Sequence, residues 1–192
     1  EQPSPRLCAD RLDYFLRDAR DLGLATDTQV AATLASLVVV DGRIAVNGVA
    51  IARWLAEAFI QADDASWSNF WEVGLYEVTA QAIGRALTIG LITKDDFWLT
   101  DRPFWEKLHS SDDAELNDWL RLVSTDVDFV WDEANPTFVV STKIRSIDPD
   151  IAVGDGELRP LSTLDPDFAR LRADYVARKN GRWPMRVIAP GA

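Results

Sequence analysis

Between Cys8 and Asp18 the chain reads Cys-Ala-Asp-Arg-Leu-Asp-Tyr-Phe-Leu-Arg-Asp. On a helix, at about 100° per residue, Asp10, Tyr14, Arg17 and Asp21 fall within a sector of about 60°. Asp18 and Arg11 flank that sector on one side and Asp13 on the other. The opposite side carries Leu12, Phe15, Leu16, Ala19 and Leu22, the stripe of a helix packed on a core. Two uses of the polar face remain open: a solvated surface of mixed charge, or a face turned towards a ligand. A tyrosine set among the charges, without tidy Glu-to-Lys pairs at i, i+4, is the argument for the second.

The segment Ala9-Asp-Arg-Leu-Asp-Tyr-Phe-Leu-Arg-Asp-Ala19 resembles the last motif of the HD-domain metal-dependent phosphohydrolases, in particular the branch that includes dNTP triphosphohydrolases. A second, shorter likeness is Lys143-x-Arg145-x-x-Asp148-Pro149, similar to a late segment of that family. The resemblance implies a C-terminal portion of a mainly α, HD-type helical bundle. It implies that Asp10 is catalytic as a metal ligand, that Arg11 and Tyr14 face substrate phosphate, and that Asp18 sits where a sugar hydroxyl is held. A divalent metal such as Mn, Fe or Mg is the cofactor so implied, and a nucleotide or small phosphate ester the substrate.

Metal-assisted hydrolysis needs a cation that polarises the phosphoryl oxygen and acidifies bound water. The family holds it with His, His, Asp and Asp. This chain has one histidine, no His-Asp pair, and His109 follows the motif instead of preceding it. His109 is expected to sit at a helix C-terminus, where a dipole contact suits it. The missing ligands are therefore expected from an upstream HD-motif segment or a separate chain, and the isolated chain is predicted to be inactive. The start at Glu1, without an initiator Met, fits that reading. The alternative is a catalytically degenerate HD-like module that binds nucleotide or another protein. No phosphate loop, dinucleotide fingerprint or nucleophile elbow is present.

Composition bounds the rest. At 192 residues and 47% hydrophobic the chain can bury a core of its own, so one domain over 1–192 is expected. No apolar run reaches the roughly 18 residues of a membrane helix and no signal peptide is visible, which makes a cytoplasmic location the default and excludes a membrane partner. The single Cys8 cannot form an intrachain disulfide and is expected to be buried. A net charge of −11 argues against a nucleic-acid partner. Residues 166–192 nevertheless carry six basic side chains against two acids, a local net of +4 that is expected to pack against acidic parts of the chain. Eight tryptophans and several apolar helix faces would suit an oligomer interface as well as a core.

The elements that must position these residues follow from local signals. Gly23 is a stop for the motif helix, and Thr26-Asp-Thr-Gln29 is a capping box for a helix ending near Leu37. Val38–Val46 around Asp41-Gly42 predicts a hairpin with a type I′ turn. A helix is expected from about Val49 to Gln61. Another, from about Asn69 to Gly90, is apolar on most sides and so expected in the centre of a bundle, with Tyr76 and Gln81 as hydrogen-bonded core groups. Short helical segments are expected from Thr93, from Asp101 to His109 and from Ser111 to about Val123. The acids Asp126, Asp128, Asp132 and Glu133 lack the glycine of a calcium loop and read as a solvated connection. A late strand is expected over 138–147, with Lys143 and Arg145 on a face that could approach an anion. A loop over 153–164, a helix to about Lys179 and a terminal strand near 183–188 complete the chain.

Overall fold

The computed structural model describes residues 2–154 and 156–189. The chain is mainly α, with short strands. It packs as two compact units: the described residues up to Asn69 with those from Thr142 to Gly181, and Phe70–Ser141 with the described residues from Arg182 on.

In the first unit, α1 (Ala9–Asp21) buries Leu12, Phe15, Leu16 and Ala19, the stripe expected from spacing. Leu22, expected with them, is exposed at the helix end, where the chain turns through Gly23 at φ 71. α2 (Asp27–Ser36) begins with the reciprocal capping box of Thr26 and Gln29. β1 (Leu37–Val40) and β2 (Arg43–Val46) form the expected hairpin. Asp41 and Gly42 both take positive φ, 49 and 72, as a type I′ turn requires.

α3 (Val49–Ala62) runs directly into one π-helical turn, Asp63–Trp67, where the sequence suggested only a break. The unit closes with β5 (Asp150–Ala152), β6 (Leu158–Pro160), α7 (Leu161–Leu164) and α8 (Pro166–Lys179). Its sheet has the order β1-β2-β5-β6, with β2 and β5 parallel at Val46 and Ile151 and the other pairs antiparallel. Its core gathers Phe15, Leu55, Phe59, Ile147, Ile151, Leu161 and Phe168. Two expectations are corrected here. The segment expected as a strand beyond Val140 is irregular and unpaired through Pro149, and the expected loop over 153–164 contains β6 and α7.

The second unit holds α4 (Phe70–Thr88), a 3-10 turn at Lys94–Trp98, α5 (Asp101–His109) and α6 (Ala114–Leu122). A three-stranded antiparallel sheet accompanies them, in the order β3 (Asp128–Trp131), β7 (Trp183–Ile188), β4 (Phe138–Val140). β3 lies within the acid-rich stretch expected as a loop, because Phe129 is buried between exposed Asp128 and half-buried Val130. α4 is not enclosed on all sides. Val73, Gly74, Val78, Ala82 and Ala86 form its buried face, while Tyr76, Leu87 and Ile89 are exposed. Gln81, also expected in the core, is exposed and donates to Glu77 Oε1 at 2.6 Å. Small residues on the buried side let neighbours approach closely: a Cβ at Gly74 would stand 2.6 Å from the Phe129 ring.

The locally basic C-terminal part pairs with acids inside each unit. Arg178 and Lys179 meet Asp64 in the first, and Arg186 meets Asp132 in the second. Among the described residues, no helix is long and apolar enough to cross a membrane.

Candidate functional site

α1 presents the predicted residues along one stripe, because positions four apart drift by only about 40° around a helix. Asp10 stands exposed in the first turn, Tyr14 is half-buried one turn later, and Asp18 is half-buried one turn beyond. Two of the four predicted residues, Arg11 and Tyr14, line a cleft of about 200 Å³. Its other walls are Ser4, Phe59 and the run Lys143-Ile144-Arg145-Ser146. Asp10 and Asp18 are not among the lining residues. Two motifs that lie more than a hundred residues apart in sequence thus meet at one place.

The lining carries three cationic side chains, Arg11, Lys143 and Arg145, and no carboxylate. A small polar hollow of that composition suits an anion, since guanidinium donors bind phosphate or carboxylate oxygens directionally. Burial pushes the Tyr14 hydroxyl above its ordinary pKa, although Arg11 and Arg145 pull it the other way. The hydroxyl is therefore a neutral donor at physiological pH. Arg11 is steadied by a hydrogen bond to the Arg6 carbonyl at 2.5 Å.

The Lys143–Pro149 segment is held from both ends without belonging to a sheet. Ile147 is fully buried in the core. The Asp148 carboxylate accepts from Ser162 N at 2.9 Å and Ser162 Oγ at 2.6 Å, and its own N–H donates to the Pro5 carbonyl at 2.8 Å. Ser4 Oγ donates to the Ser146 carbonyl at 3.2 Å. In this way the Asp-Pro end of the motif anchors the segment, leaving the Lys-x-Arg end to face the cleft. Lys143 and Arg145 have no cross-strand neighbours, because no strand pairs over these residues.

Behind the cleft lies a network that the sequence did not suggest. Asp63 is fully buried. Its Oδ2 accepts from the Tyr175 hydroxyl at 2.5 Å and from Arg145 N at 3.2 Å, and its Oδ1 lies 3.7 Å from Arg145 Nη1. Trp67 Nε1 donates to Asp18 Oδ2 at 2.9 Å, while the Trp67 ring meets Tyr14 edge-on with centroids 5.2 Å apart. These contacts join residues 49 to 112 positions apart, beyond the reach of any local pattern. The only available signal was an acid, Asp63, immediately after an apolar helical run.

A larger open groove of about 630 Å³ between α3 and α8 is lined by Glu57, Ile60, Gln61, Leu171, Asp174, Tyr175 and Arg178. Its mixed charge favours no one class of ligand, and none of the predicted site residues reaches it.

The donor set for a metal is incomplete in this chain. Among the described residues, no group of three or more His, Cys, Asp or Glu side chains could hold a metal ion. Asp10 supplies one exposed carboxylate. His109 ends α5, in the second unit, with its ring 6.3 Å from that of Trp105. Cys8 is buried and precedes α1.

No protein-family model matches the chain, and no solved structure matches it. Among curated proteins it is 29% identical over 184 residues to the metal-dependent phosphohydrolase cns2 of Cordyceps militaris, covering 92% of this chain and 53% of that protein. It is 30% identical over 181 residues to the uncharacterized protein YdhJ of Bacillus subtilis, covering 94% of this chain and 56% of that one. The chain therefore spans about half the length of the curated relatives it matches.

Proposed function

We propose that this chain is the C-terminal part of a metal-dependent phosphohydrolase acting on a nucleotide or another phosphate ester. The observation that carries the reading is the meeting of Arg11 and Tyr14 with Lys143 and Arg145 in one cleft free of carboxylates. That cleft opens beside the helix whose first turn presents Asp10. In this reading Asp10 is one metal ligand, Arg11 and Tyr14 hold phosphate, and Asp18 orients a hydroxyl of the substrate's sugar. The remaining ligands come from an upstream HD-motif segment or a separate chain. The likeness to a metal-dependent phosphohydrolase over 92% of this chain, but only 53% of that relative, supports a division of the site of this kind.

The test is phosphate release from nucleoside mono- and triphosphates with manganese or iron, by this chain alone and by a longer protein that supplies two histidines and an aspartate. Activity is expected only from the latter, and Asp10→Ala is expected to abolish it. Robust turnover by the chain alone would overturn the divided site. Nucleotide binding that ignores metal, with no turnover in either case, would favour a binding module.

A further inference from the structure

The π-helical turn Asp63–Trp67 is placed where no regularity of the helix requires it. α3 continues into it without a break, and its N–H groups reach one residue further back than in an α-helix, as in Ser68 N to the Asp63 carbonyl at 2.9 Å. Such turns are rare and frequently lie at functional sites. The widened turn spreads two side chains towards different parts of the cleft. Asp63 reaches the backbone and the guanidinium of Arg145, and Trp67 reaches Tyr14 and Asp18. The Trp67 carbonyl also accepts from Arg145 Nη1 at 3.5 Å.

A buried carboxylate needs compensation, and the arrangement around Asp63 is incomplete in one informative way. Oδ2 has two donors, but Oδ1 has no hydrogen-bond partner among the described residues, with Arg145 Nη1 at 3.7 Å. The guanidinium is therefore attracted to Asp63 without being locked onto it, and its side chain stays 30% exposed at the cleft. A fully engaged bidentate pair would have withdrawn the guanidinium from any ligand. Tyr175, on α8, holds Asp63 through its 2.5 Å hydrogen bond.

The geometry points to Asp63, Trp67 and Tyr175 as positioning residues of the anion cleft: Asp63, braced by Tyr175, aims Arg145, and Trp67 sets Tyr14 and Asp18. The inference rests on the reading of the cleft as an anion site and extends it to side chains that do not line it through their polar groups. None of the three acts on substrate directly. Trp67 couples the two halves, since its indole N–H holds Asp18 and its carbonyl faces Arg145.

The experiment titrates this chain, without metal, with sodium pyrophosphate, following heat of binding and the 15N-indole resonance of Trp67, which is identified by its absence from Trp67→Phe. Wild type is expected to saturate, with the Trp67 resonance moving at the same saturation constant as the heat. Tyr175→Phe and Trp67→Phe are each expected to weaken binding roughly three- to tenfold, the scale of one hydrogen bond. Ile151→Val, a core change away from the turn, is expected to lower the unfolding temperature while binding as tightly as wild type. If wild type binds and both Tyr175→Phe and Trp67→Phe bind equally well, the positioning role is overturned and the cleft reading stands. If wild type does not bind, both fall. Should Tyr175→Phe fail to fold, Trp67→Phe decides.

Discussion

Tyr14 meets the last residue of the π-helical turn, Trp67, and Tyr175 donates to its first, Asp63, and burial raises the pKa of both hydroxyls. For Tyr175 the neighbouring Asp63 carboxylate adds to the rise. A phenol whose folded pKa exceeds its unfolded value contributes stability that is complete below about pH 10 and is lost as the pH climbs through the folded value. The thermal midpoint should therefore hold between about pH 7 and pH 9 and fall above about pH 10, and Tyr175→Phe should remove most of that alkaline fall. Scanning calorimetry across that range checks it. At the cleft itself, if the proposed phosphohydrolase reading holds, Arg11→Ala in the longer protein should raise KM about tenfold or more, with a smaller change in kcat, because it removes a charged donor to the proposed anion. Equal kinetics for variant and wild type would remove Arg11 from the site. Of these residues, Arg11 and Tyr14 could be singled out in the sequence as part of one helical motif and do line the cleft, whereas Asp10 and Asp18, singled out with them, do not. Asp63, Trp67 and Tyr175 could not be singled out, because each acts through a partner dozens of residues away.

At the scale of elements, α4 is the case where small side chains matter more than large ones. Gly74 faces the Phe129 ring of β3, and an added methyl has no room at 2.6 Å. Gly74→Ala should destabilise the second unit by about 1–3 kcal/mol through overpacking, despite the better helix propensity of alanine. Urea unfolding followed by tryptophan fluorescence measures it, and a stabilised variant would refute the packing argument. This helix also shows the limit of reading apolarity as enclosure. Tyr76, Leu87 and Ile89 are apolar or aromatic yet exposed, and the buried stripe is built largely from valine, glycine and alanine. Where a backbone group has one obvious local partner, the sequence was a reliable guide. Thr26 with Gln29 forms the capping box. Asp41-Gly42 turns the hairpin at positive φ. β3, β5 and β6 have only three or four residues each, too few for alternation to show. The unpaired stretch before Pro149 looked like a strand because its residues alternate from Thr142, but alternation alone supplies no neighbouring ladder, and none pairs there.

For the whole molecule, the division into units does not follow the order of the chain. The first unit is interrupted by Phe70–Ser141, and the last strand, β7, returns to the second unit after α8 has completed the first. No composition shift in the sequence marks these crossings. β7 is the central strand of its sheet, pairing with β3 on one side and β4 on the other. Ending the chain at Gly181 should therefore abolish the folded signal of the second unit's tryptophans, since β3 and β4 lose their shared partner. All residues lining the cleft belong to the first unit. Pyrophosphate binding should survive the truncation with less than about a threefold change, and its loss would show that the cleft depends on more than its own walls. The cleft is also a local exception in a chain of net charge −11, so an anion bound as proposed would arrive against the overall field and meet three nearby cations.

The π-helical turn can also be understood as a matter of chain length. Relative to an α-helix it holds one residue too many, so everything after it is displaced by about 100° from the register set by α3. Removing Ala65, which is exposed, would let the helix rewind into ordinary spacing. Asp63 would keep its place beside Tyr175, but the Trp67 indole would swing away from Asp18. Such a shortened chain should remain helical by circular dichroism and yet lose pyrophosphate affinity at least as severely as Trp67→Phe. A single inserted residue, with no new side-chain chemistry of its own, would then be what converts a plain packing helix into the back wall of a ligand site.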